Sequence, residues 1–564
     1  MLHLQYCGTG LLKTTKLKLR IFQLRKSFQN CFNVSSNFSI DLKYIALKYK
    51  LIVLFLLFVL VTNAQEKKEI QILNTEYGES VENKKNAQRL VGNVEIQHKD
   101  IFMWCDTAYT YSGTNRVDAF GHVHINQGDT LHLYARKIFY DGDISFAQAV
   151  DSVKFVNKTT TLYSDTLDYD LETNIGYYDD YGKIIDSTNV LTSLIGKYFV
   201  DEDIVHFYQD VEGYSDDYTL AGDTLYYNTV NGRITIVGPT TIRDSANTLY
   251  AEAGWYDTNT GEAELQKNPI VSNKKQMLKA DYIEYNDENG DGKAKGTVHI
   301  EDFENQIIVT GTKADYNETI EIATVTDSAI FMMYSDNDTL FMHADTLRTV
   351  PDTIEGEKIV KAFYGVRFYR TDIQGICDSL VYYSRDSLVQ MHNNPVIWSE
   401  IHQLSADMIE MQQKQNAPDE LHLTNNSFII SKQDSNRYDQ IKGKNMTGFV
   451  INNELDNIIV DGNGQTLYYA REKEDEIIGL NRAESSNIAI KFREGKIFKI
   501  VFLTQPEGRL KPTDQLDEGE RRLSGFDWKI NLRPLNRHDI FQREIPKNEE
   551  ETKNLAEEEG QSPN

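Results

Sequence analysis

The chain contains 564 residues and has a formal net charge of −26 at pH 7. Its first 64 residues carry nine Lys or Arg and one Asp, so the rest of the chain carries a net charge of −34. Such an acidic surface repels nucleic acid and anionic membranes, which argues against a nucleic-acid partner. The length would ordinarily predict several domains, although a repeat array can grow without forming new cores.

The N-terminus has the features of an export signal. Leu51–Val61 is an uninterrupted apolar run of eleven residues, preceded by a basic segment and followed by Thr62, Asn63 and Ala64. Eleven residues are too few to span a bilayer, and the small residues after the run suit cleavage. We therefore predict a signal peptide over residues 44–64. Residues 1–43 are predicted to be a basic N-terminal extension outside the mature protein.

From residue 65 onward a short pattern recurs about every 30 residues, which predicts a repeat architecture. In Leu278–Tyr285 the small residue Ala280 follows Leu278 by two positions and precedes Ile283 by three. We call the position of this small residue the slot. In successive units it is occupied by Cys105, Ala135, Ser164, Gly196, Gly222, Ala251, Ala280, Gly311, Ala344, Cys377 and Ala406. Five residues after the slot a tyrosine column recurs, at Tyr140, Tyr169, Tyr227, Tyr256, Tyr285, Tyr316 and Tyr382.

Within one unit, apolar residues lie two apart on each side of the slot, which is the period of a strand with one buried face. Across the slot the spacing becomes odd, and a straight strand cannot keep both sets on one face. We therefore predict a bend or bulge at the slot, with the Asp or Thr that follows bonding to nearby backbone. Second strands such as Gly121–Ile125 and Gly296–Ile300 alternate in the same way.

Because one unit cannot bury its apolar face alone, neighbouring units must stack. The sequence thus predicts an all-β fold, an elongated rolled sheet built from ~30-residue strand repeats. We divide it into β-repeat regions at residues 65–265 and 266–471, a terminal hairpin and C-terminal docking segment at 472–545, and a disordered acidic tail at 546–564. Phe526–Leu532 is either a last strand or part of the docking segment. Cys105 and Cys377 are each predicted to replace a buried Ala.

No motif singles out a reaction centre. Asp287–Gly292 is similar to the start of a calcium loop, but Val298 stands where a bidentate Glu is needed, so a hairpin turn is favoured. His122 and His124 lack a third ligand for a metal. We therefore predict no enzyme activity, no metal and no cofactor. The tyrosine column either packs in the core or lines the rim of a groove that holds sugars or lipid head groups.

The pattern Leu-x-Ala-Asp-x-h-x-Tyr, with h apolar, followed by Gly-x-Val-x-Ile, resembles the OstA-like family. That family includes the periplasmic lipopolysaccharide-transport protein LptA and the N-terminal domain of the outer-membrane translocon LptD. The resemblance is carried by Leu133–Tyr140, by Leu278–Tyr285 with Gly296–Ile300, and by Arg89–Ile96 with Met103–Tyr109, within roughly residues 74–471.

This resemblance implies an open β-jellyroll, in two or three abutting domains, whose apolar interior holds the acyl chains of lipopolysaccharide. It implies a bridge from the inner to the outer membrane for outer-membrane assembly, formed by pairing of edge strands with other lipopolysaccharide-transport components and by self-stacking. It also implies a location in the periplasm in association with the outer membrane. Inward apolar residues would then line a lipid groove. The candidates are Val94, Ile96, Val123, Ile125, Leu131, Leu133, Leu162, Leu167, Leu220, Leu225, Leu278, Ile283, Val298 and Ile300.

Two other classes of function stay open from the sequence. A structural or adhesive exported β-solenoid would have a closed interior. A right-handed β-helix enzyme acting on polysaccharide would need a cluster of carboxylates or basic groups confined to one or two adjacent coils. In this chain the acidic residues instead recur in every unit.

Overall fold

A computed structural model describes residues 69–81, 86–286, 288–317, 319–334, 338–354, 357–414, 416–451, 454–473 and 476–542. These residues belong to one compact unit that begins at Glu69. The predicted basic extension, signal peptide and acidic tail lie outside them, as does Asp287. Within the described residues, no helix has the length and hydrophobicity needed to cross a membrane.

The described chain is built almost entirely of β-strands. The first half of the chain contains β1 (Gln71–Asn74), β2 (Tyr77–Ser80), β3 (Ala87–His98), β4 (Ile101–Tyr111), β5 (Arg116–Gln127), β6 (Leu131–Asp141), β7 (Phe146–Asn157), β8 (Thr160–Asp170), β9 (Ile175–Tyr178), β10 (Gly182–Ile185), β11 (Val190–Ser193), β12 (Ile195–Phe199), β13 (Ile204–Tyr214), β14 (Thr219–Asn228), β15 (Arg233–Ile236), β16 (Thr240–Arg243), β17 (Thr248–Ala251), β18 (Ala253–Asp257), β19 (Ala263–Gln266), β20 (Ile270–Ser272) and β21 (Gln276–Lys279).

The second half contains β22 (Tyr282–Asn286), β23 (Asp291–Asp302), β24 (Ile307–Asn317), β25 (Ile322–Tyr334), β26 (Thr339–Pro351), β27 (Lys358–Tyr369), β28 (Gln374–Tyr383), β29 (Leu388–His392), β30 (Val396–Ser399), β31 (His402–Ser405), β32 (Met408–Gln412), β33 (Asp419–Lys432), β34 (Tyr438–Ile451), β35 (Glu454–Lys473), β36 (Glu476–Arg493), β37 (Lys496–Phe502) and β38 (Glu507–Lys511). Short 3-10 helices follow at Thr513–Gln515, Glu518–Arg521, Ile530–Leu532 and Asp539–Phe541.

All of these strands form one antiparallel sheet in which each long strand pairs with its neighbours in sequence. Where a strand is interrupted opposite the slot of its neighbour, its two parts pair with the two ends of that neighbour. Thus β8 pairs with both β9 and β10. The predicted fold class, an all-β rolled sheet of the open β-jellyroll kind, is confirmed.

Each long strand bends at the slot, as predicted. Between β5 and β6 the register jumps from Phe120–Lys137 to Val123–Ala135, so two residues, Gly121 and His122, lie opposite one. The extra residue therefore lies on the neighbouring strand. Gly121 and His122 both have positive φ, a conformation that Gly adopts freely and that Asn and Asp tolerate best. Equivalent pairs are Gly92 with Asn93, Asp151 with Ser152, Gln209 with Asp210, Asp327 with Ser328, Asn425 with Asn426, and Gly462 with Asn463.

The residue after the slot stabilises the bend from the adjacent strand. Oδ2 of Asp281 accepts the backbone N–H of Thr297 at 3.0 Å. Oδ1 of Asp407 accepts Nδ2–H of Asn426 at 3.0 Å. At Gly296, φ is 92° and a Cβ would overlap the Asp281 carboxylate, so only glycine fits there. The bond from the residue after the slot to nearby backbone is thus confirmed at Asp281.

The bends fold the sheet into two half-sheets that face each other across one continuous apolar core. The first half-sheet contains the residues before each slot and the segments paired with them, and the second contains those after it. The slot thiols Cys105 and Cys377 are buried and free, as predicted for replacements of Ala. Burial raises their pKa to about 11 and about 12, so both thiols stay protonated.

Residues 512–542, the C-terminal strap, lie on the outer face of the first half-sheet and form a second core there, to which Leu523 contributes. Side-chain amides of the sheet bind the strap's backbone. Gln440 accepts the N–H of Leu523 at 2.8 Å, and Gln403 accepts the N–H of Lys529 at 2.7 Å. Phe526–Leu532 lies within the strap and ends in a 3-10 helix rather than forming a strand.

Asp439 in β34 gives the fold a pH dependence. It is buried, and its Oδ1 accepts the backbone N–H of Tyr469 at 2.9 Å. Burial raises its pKa to about 7, against ~4 in an unfolded chain. The neutral carboxyl therefore stabilises the fold fully below pH ~4, and this contribution is lost as the pH rises through 7.

We expect Asp439→Asn, which keeps the acceptor and cannot ionise, to stabilise the protein progressively between pH 4 and 7, by up to about 4 kcal/mol. Urea unfolding of both proteins across this pH range measures the effect. Parallel pH profiles for the two proteins would contradict it.

Candidate functional site

The half-sheets meet at the bend and end in two rows of turns. The first lip consists of the turns that end the first half-sheet, such as residues 99–100, 128–130 and 303–306. The second lip consists of the turns that end the second half-sheet, such as residues 112–115, 142–145 and 319–321. The mouth of the roll lies between the lips, so the contacts across it decide whether solvent or a ligand reaches the apolar interior.

Between β3 and β14, hydrogen bonds join the lips and close the mouth. The bridges are His98 Nδ1 with Tyr140 Oη (2.6 Å), Gln127 Nε2 with Leu171 O (3.0 Å), Asn157 Nδ2 with Tyr198 Oη (3.0 Å), and Asn189 Nδ2 with Tyr227 Oη (2.9 Å). Burial raises the pKa of Tyr140 and Tyr227 above the usual range for tyrosine. Their hydroxyls therefore stay protonated, and we call this part of the roll the sealed stretch.

The interior of the sealed stretch is filled by large side chains. Phe155 of the first half-sheet meets Tyr169 and Tyr198 of the second, with ring centroids 5.0 and 5.9 Å apart. Tyr178 lies at the bend, where its hydroxyl is 2.8 Å from Oγ of Ser193 on the opposite half-sheet. These aromatic side chains are almost completely buried. Such dense packing leaves no room for a ligand.

From β20 to β26 the interior opens. Apolar side chains that face inward are half-exposed in this open stretch, at Val271, Leu278, Ile300, Val309, Phe331 and Leu340. Residues nearer the bend, such as Val298 and Ala329, stay buried. Tyr316 is 43% exposed, whereas Tyr140 is 3% exposed at the equivalent position of the sealed stretch. The interior is therefore a trough, closed at the bend and open toward the lips.

The lips of the open stretch carry exposed apolar side chains. Phe303 and Met333 are 45% and 43% exposed at the first lip. At the second lip Ile320 is 54% exposed, and Tyr316, four residues earlier in the chain, is also exposed. Large apolar side chains clustered in solvent at the rim of a cleft are typical of a binding site for an apolar ligand.

Toward the C-terminus the mouth closes again. His402 at the first lip lies 2.9 Å, through Nε2, from the carbonyl oxygen of Gly495 at the second lip. The His402 ring packs edge-on against Phe492 across the interior, with centroids 5.8 Å apart. Burial lowers the pKa of His402, so the imidazole is held neutral. Inward residues of this region, such as Ile397 and Leu404, are buried.

The structure divides the predicted groove residues between the two environments. The candidates from Val94 to Leu225 are buried in the sealed stretch, where they pack in the common core. Leu278, Ile283, Val298 and Ile300 lie in the open stretch. Of these, Leu278 and Ile300 are half-exposed, while Ile283 and Val298 are buried near the bend. Contact of any of them with a lipid stays a prediction.

The tyrosine column divides in the same way. Tyr140, Tyr169 and Tyr227 are core residues, which fits the core-packing interpretation. Tyr285 is half-exposed and Tyr316 is exposed, so the column reaches the rim of the trough in the open stretch. The core-packing interpretation thus applies to the sealed stretch, while contact of the rim tyrosines with sugars or lipid head groups stays a prediction.

Sequence reasoning missed the residues that distinguish the open stretch, such as Phe303, Phe331 and Met333. The sequence does contain a pattern that could have identified them. Ile307–Val309, Ile330–Met333 and Leu340–Met342 are consecutive apolar residues, whereas strands with one solvent-facing side alternate. These runs put apolar groups on both faces of the first half-sheet at the open stretch.

The trough offers an apolar surface on which a ligand can be buried. Its inward surface is aliphatic and aromatic. Within the described residues, there is no group of three or more His, Cys, Asp or Glu arranged to hold a metal ion. What this arrangement can do is remove a flexible apolar chain from water.

Comparison with known proteins gives a family match for part of the chain. Residues 67–223 match a family described as OstA-like protein, so the predicted resemblance is confirmed for that region. No curated protein matches the chain.

One similar solved structure is the crystal structure of LptH, the LptA homologous periplasmic component of the conserved lipopolysaccharide transport device from Pseudomonas aeruginosa. The similarity covers 20% of this chain and 83% of that chain at 16% identity, with a TM-score of 0.18. At those values it supports no argument by itself.

The bridges across the sealed mouth should contribute measurably to local stability. We expect Tyr140→Phe, which deletes the hydroxyl next to His98, to cost about 1 kcal/mol of local opening free energy. Amide hydrogen exchange at residues 99–100 and 142–145 should then accelerate about fivefold. Tyr163→Phe, at an exposed tyrosine on the outer face, is the matched control and should change exchange little. Equal exchange rates in both variants would argue against the bridges.

Proposed function

We propose, from the premise that residues 67–223 form an OstA-like region, that this protein binds lipopolysaccharide and takes part in its transport. It would shield acyl chains in the apolar trough while they cross the periplasm from the inner to the outer membrane. The observation that carries this proposal is the open stretch, where inward apolar side chains are half-exposed between apolar lips. The proposed activity is non-enzymatic, and the proposed location is the periplasm, in association with the outer membrane.

Physical chemistry supports a carrier without catalysis. Burial of an acyl chain contributes ~0.8 kcal/mol per methylene group. Ten methylenes in the trough would contribute roughly 8 kcal/mol before ordering costs. That gain is large enough to keep a lipid out of water during transfer and needs no reaction at the protein. The residues proposed to contact the acyl chains include the earlier candidates Leu278, Ile283, Val298 and Ile300, together with Val309 and Phe331.

The charge of the chain constrains how the lipid head group sits. The chain after residue 64 has a net charge of −34, which opposes a close approach of anionic phosphates. The head group would therefore stay in solvent outside the lips, or divalent cations would bridge it to acidic side chains. Either arrangement leaves the apolar contacts as the source of affinity.

The two ends of the sheet support pairing with partners. In the described chain β1 and β2 pair only with β3, and β37 and β38 only with β36, so each has a free edge. Exposed edges can extend a sheet with a strand from another protein. One end carries Glu76, and the other carries Lys496 and Lys499. We propose pairing with other lipopolysaccharide-transport components, and self-stacking of copies through these complementary charges.

Native mass spectrometry of the protein purified without detergent tests the lipid. We expect a bound acylated lipid in the wild type. The double variant Val309→Asp with Phe331→Asp should retain less than a tenth of it, because ionised carboxylates would face the acyl chains. Thr310→Asp with Thr324→Asp, on the outer faces of the same two strands, is the matched control and should retain the lipid.

A wild-type protein that carries no lipid would contradict the proposal and favour a structural or adhesive solenoid, for which the sealed stretch would serve as a rigid rod. The β-helix fold of the enzyme alternative is wrong, because a right-handed β-helix has parallel strands and this sheet is antiparallel. Cleavage of envelope polysaccharide by the purified protein would instead favour an enzyme built on this antiparallel roll.

A further inference from the structure

We infer that the open stretch is a trough stopped at both ends, so that its ligand enters and leaves sideways between the lips. The alternative is a lipid that slides along the whole length of the roll. The occupant, an acylated lipid, rests on the proposed function, whereas the path rests on the geometry of the interior.

Toward the N-terminus, the stop is made of aromatic side chains that connect the two half-sheets. Phe155 from one half-sheet packs on Tyr169 and Tyr198 from the other. Tyr178 reaches across the bend to Ser193, and its ring occupies the space that a Cβ would need at Gly182 and Gly196. A passing acyl chain would have to displace all of these buried rings at once.

Nearer the trough, the sealed stretch ends in a hydrogen-bonded group of polar side chains. Tyr218 donates to Oδ1 of Asn189 at 2.7 Å, and Nδ2 of Asn189 donates to Tyr227 at 2.9 Å. The Tyr227 hydroxyl also contacts Asp186. The ring of Tyr218 packs edge-on against Tyr256, with centroids 6.0 Å apart, at the point where exposure begins to rise.

Toward the C-terminus, the second stop is the contact between His402 and Phe492 across the interior. His402 is fixed on both sides, by Oγ of Ser431 at 2.7 Å and by the carbonyl oxygen of Gly495 at 2.9 Å. Phe368, between this contact and the trough, is buried and covers Gly375. The apolar space is therefore filled before the chain reaches its last strands.

Between the stops, among the residues that the structure describes, only the mouth gives access to the apolar surface. The trough spans β20 to β26 along the first half-sheet, on the order of 25 Å at ~4.8 Å per strand. Its lips carry Phe303 and Met333 on one side and Tyr316 and Ile320 on the other, all exposed. An acyl chain moving sideways would meet these side chains before it meets the interior, so they are positioned to assist its transfer. The flexible thioether of Met333 suits contacts with chains of variable shape.

Site-specific photo-crosslinking in the full-length protein tests the path, with purified lipopolysaccharide as the probe. A photoreactive residue is placed at Val309 or Phe331 in the trough, at Leu133 beyond the N-terminal stop, and at Ile441, which is buried two strands past His402 in the first half-sheet. We expect crosslinks at the two trough positions and none at Leu133 or Ile441. Crosslinks at all positions would overturn the stopped trough while leaving the proposed function intact. The absence of crosslinks at every position would overturn both.

The time course of crosslinking at Phe331 tests sideways access. Phe303→Glu with Met333→Glu should slow the appearance of crosslinks at least tenfold, because charged lips oppose the passage of an acyl chain. Ile144→Glu with Val230→Glu is the matched control, since both residues are exposed tips of the second lip outside the open stretch. An equal rate in the two double variants would overturn sideways access.

Discussion

The bend at each slot is the constraint on which the rest of the structure depends. A flat antiparallel sheet of this length would leave one apolar face in water. A recurring pair of residues on one strand, in most units both with positive φ, lies opposite a single residue on the next and turns the long strands through the same corner. A carboxylate after the slot, as at Asp281, holds that corner through a hydrogen bond to the neighbouring strand. Because the corner recurs at each unit, the two halves of the sheet face each other along the whole array.

The same backbone produces two kinds of interior, and the side chains near the lips decide between them. Where Tyr hydroxyls reach His or Asn across the mouth, the lips are joined and large aromatic rings fill the core. Where Phe, Met and Ile occupy the lips, as at Phe303 and Met333, the mouth stays open and the interior is half-exposed. Two polar side chains can join the lips because each is the hydrogen-bond partner that the other needs. Exposed apolar side chains have no such partner across the mouth, and they are stabilised most by contact with an apolar ligand.

The region that matches the OstA-like family coincides largely with the sealed stretch, while the trough lies after it in the chain. The two parts suit different tasks. A sealed, densely packed roll is stiff and can span a distance, and an open roll can accept an apolar ligand. The C-terminal strap adds a third element, because it covers the outer face of the first half-sheet and binds there through Gln403 and Gln440. Because the strap packs on the outer face, it does not occupy the interior between the half-sheets.

The sequence by itself determined the strands, the repeat, the bend at the slot and the role of the residue after it. These features follow from residues close together in the chain, through alternation, small side chains and a carboxylate within reach of the backbone. Only the tertiary structure decided which units are sealed and which are open. That outcome depends on partners about one and a half repeats apart, such as His98 with Tyr140 and Asn157 with Tyr198, which are 42 and 41 residues apart. Local pattern gives Leu133 and Ile300 the same inward direction, but the side chains across the mouth determine that one is buried and the other half-exposed.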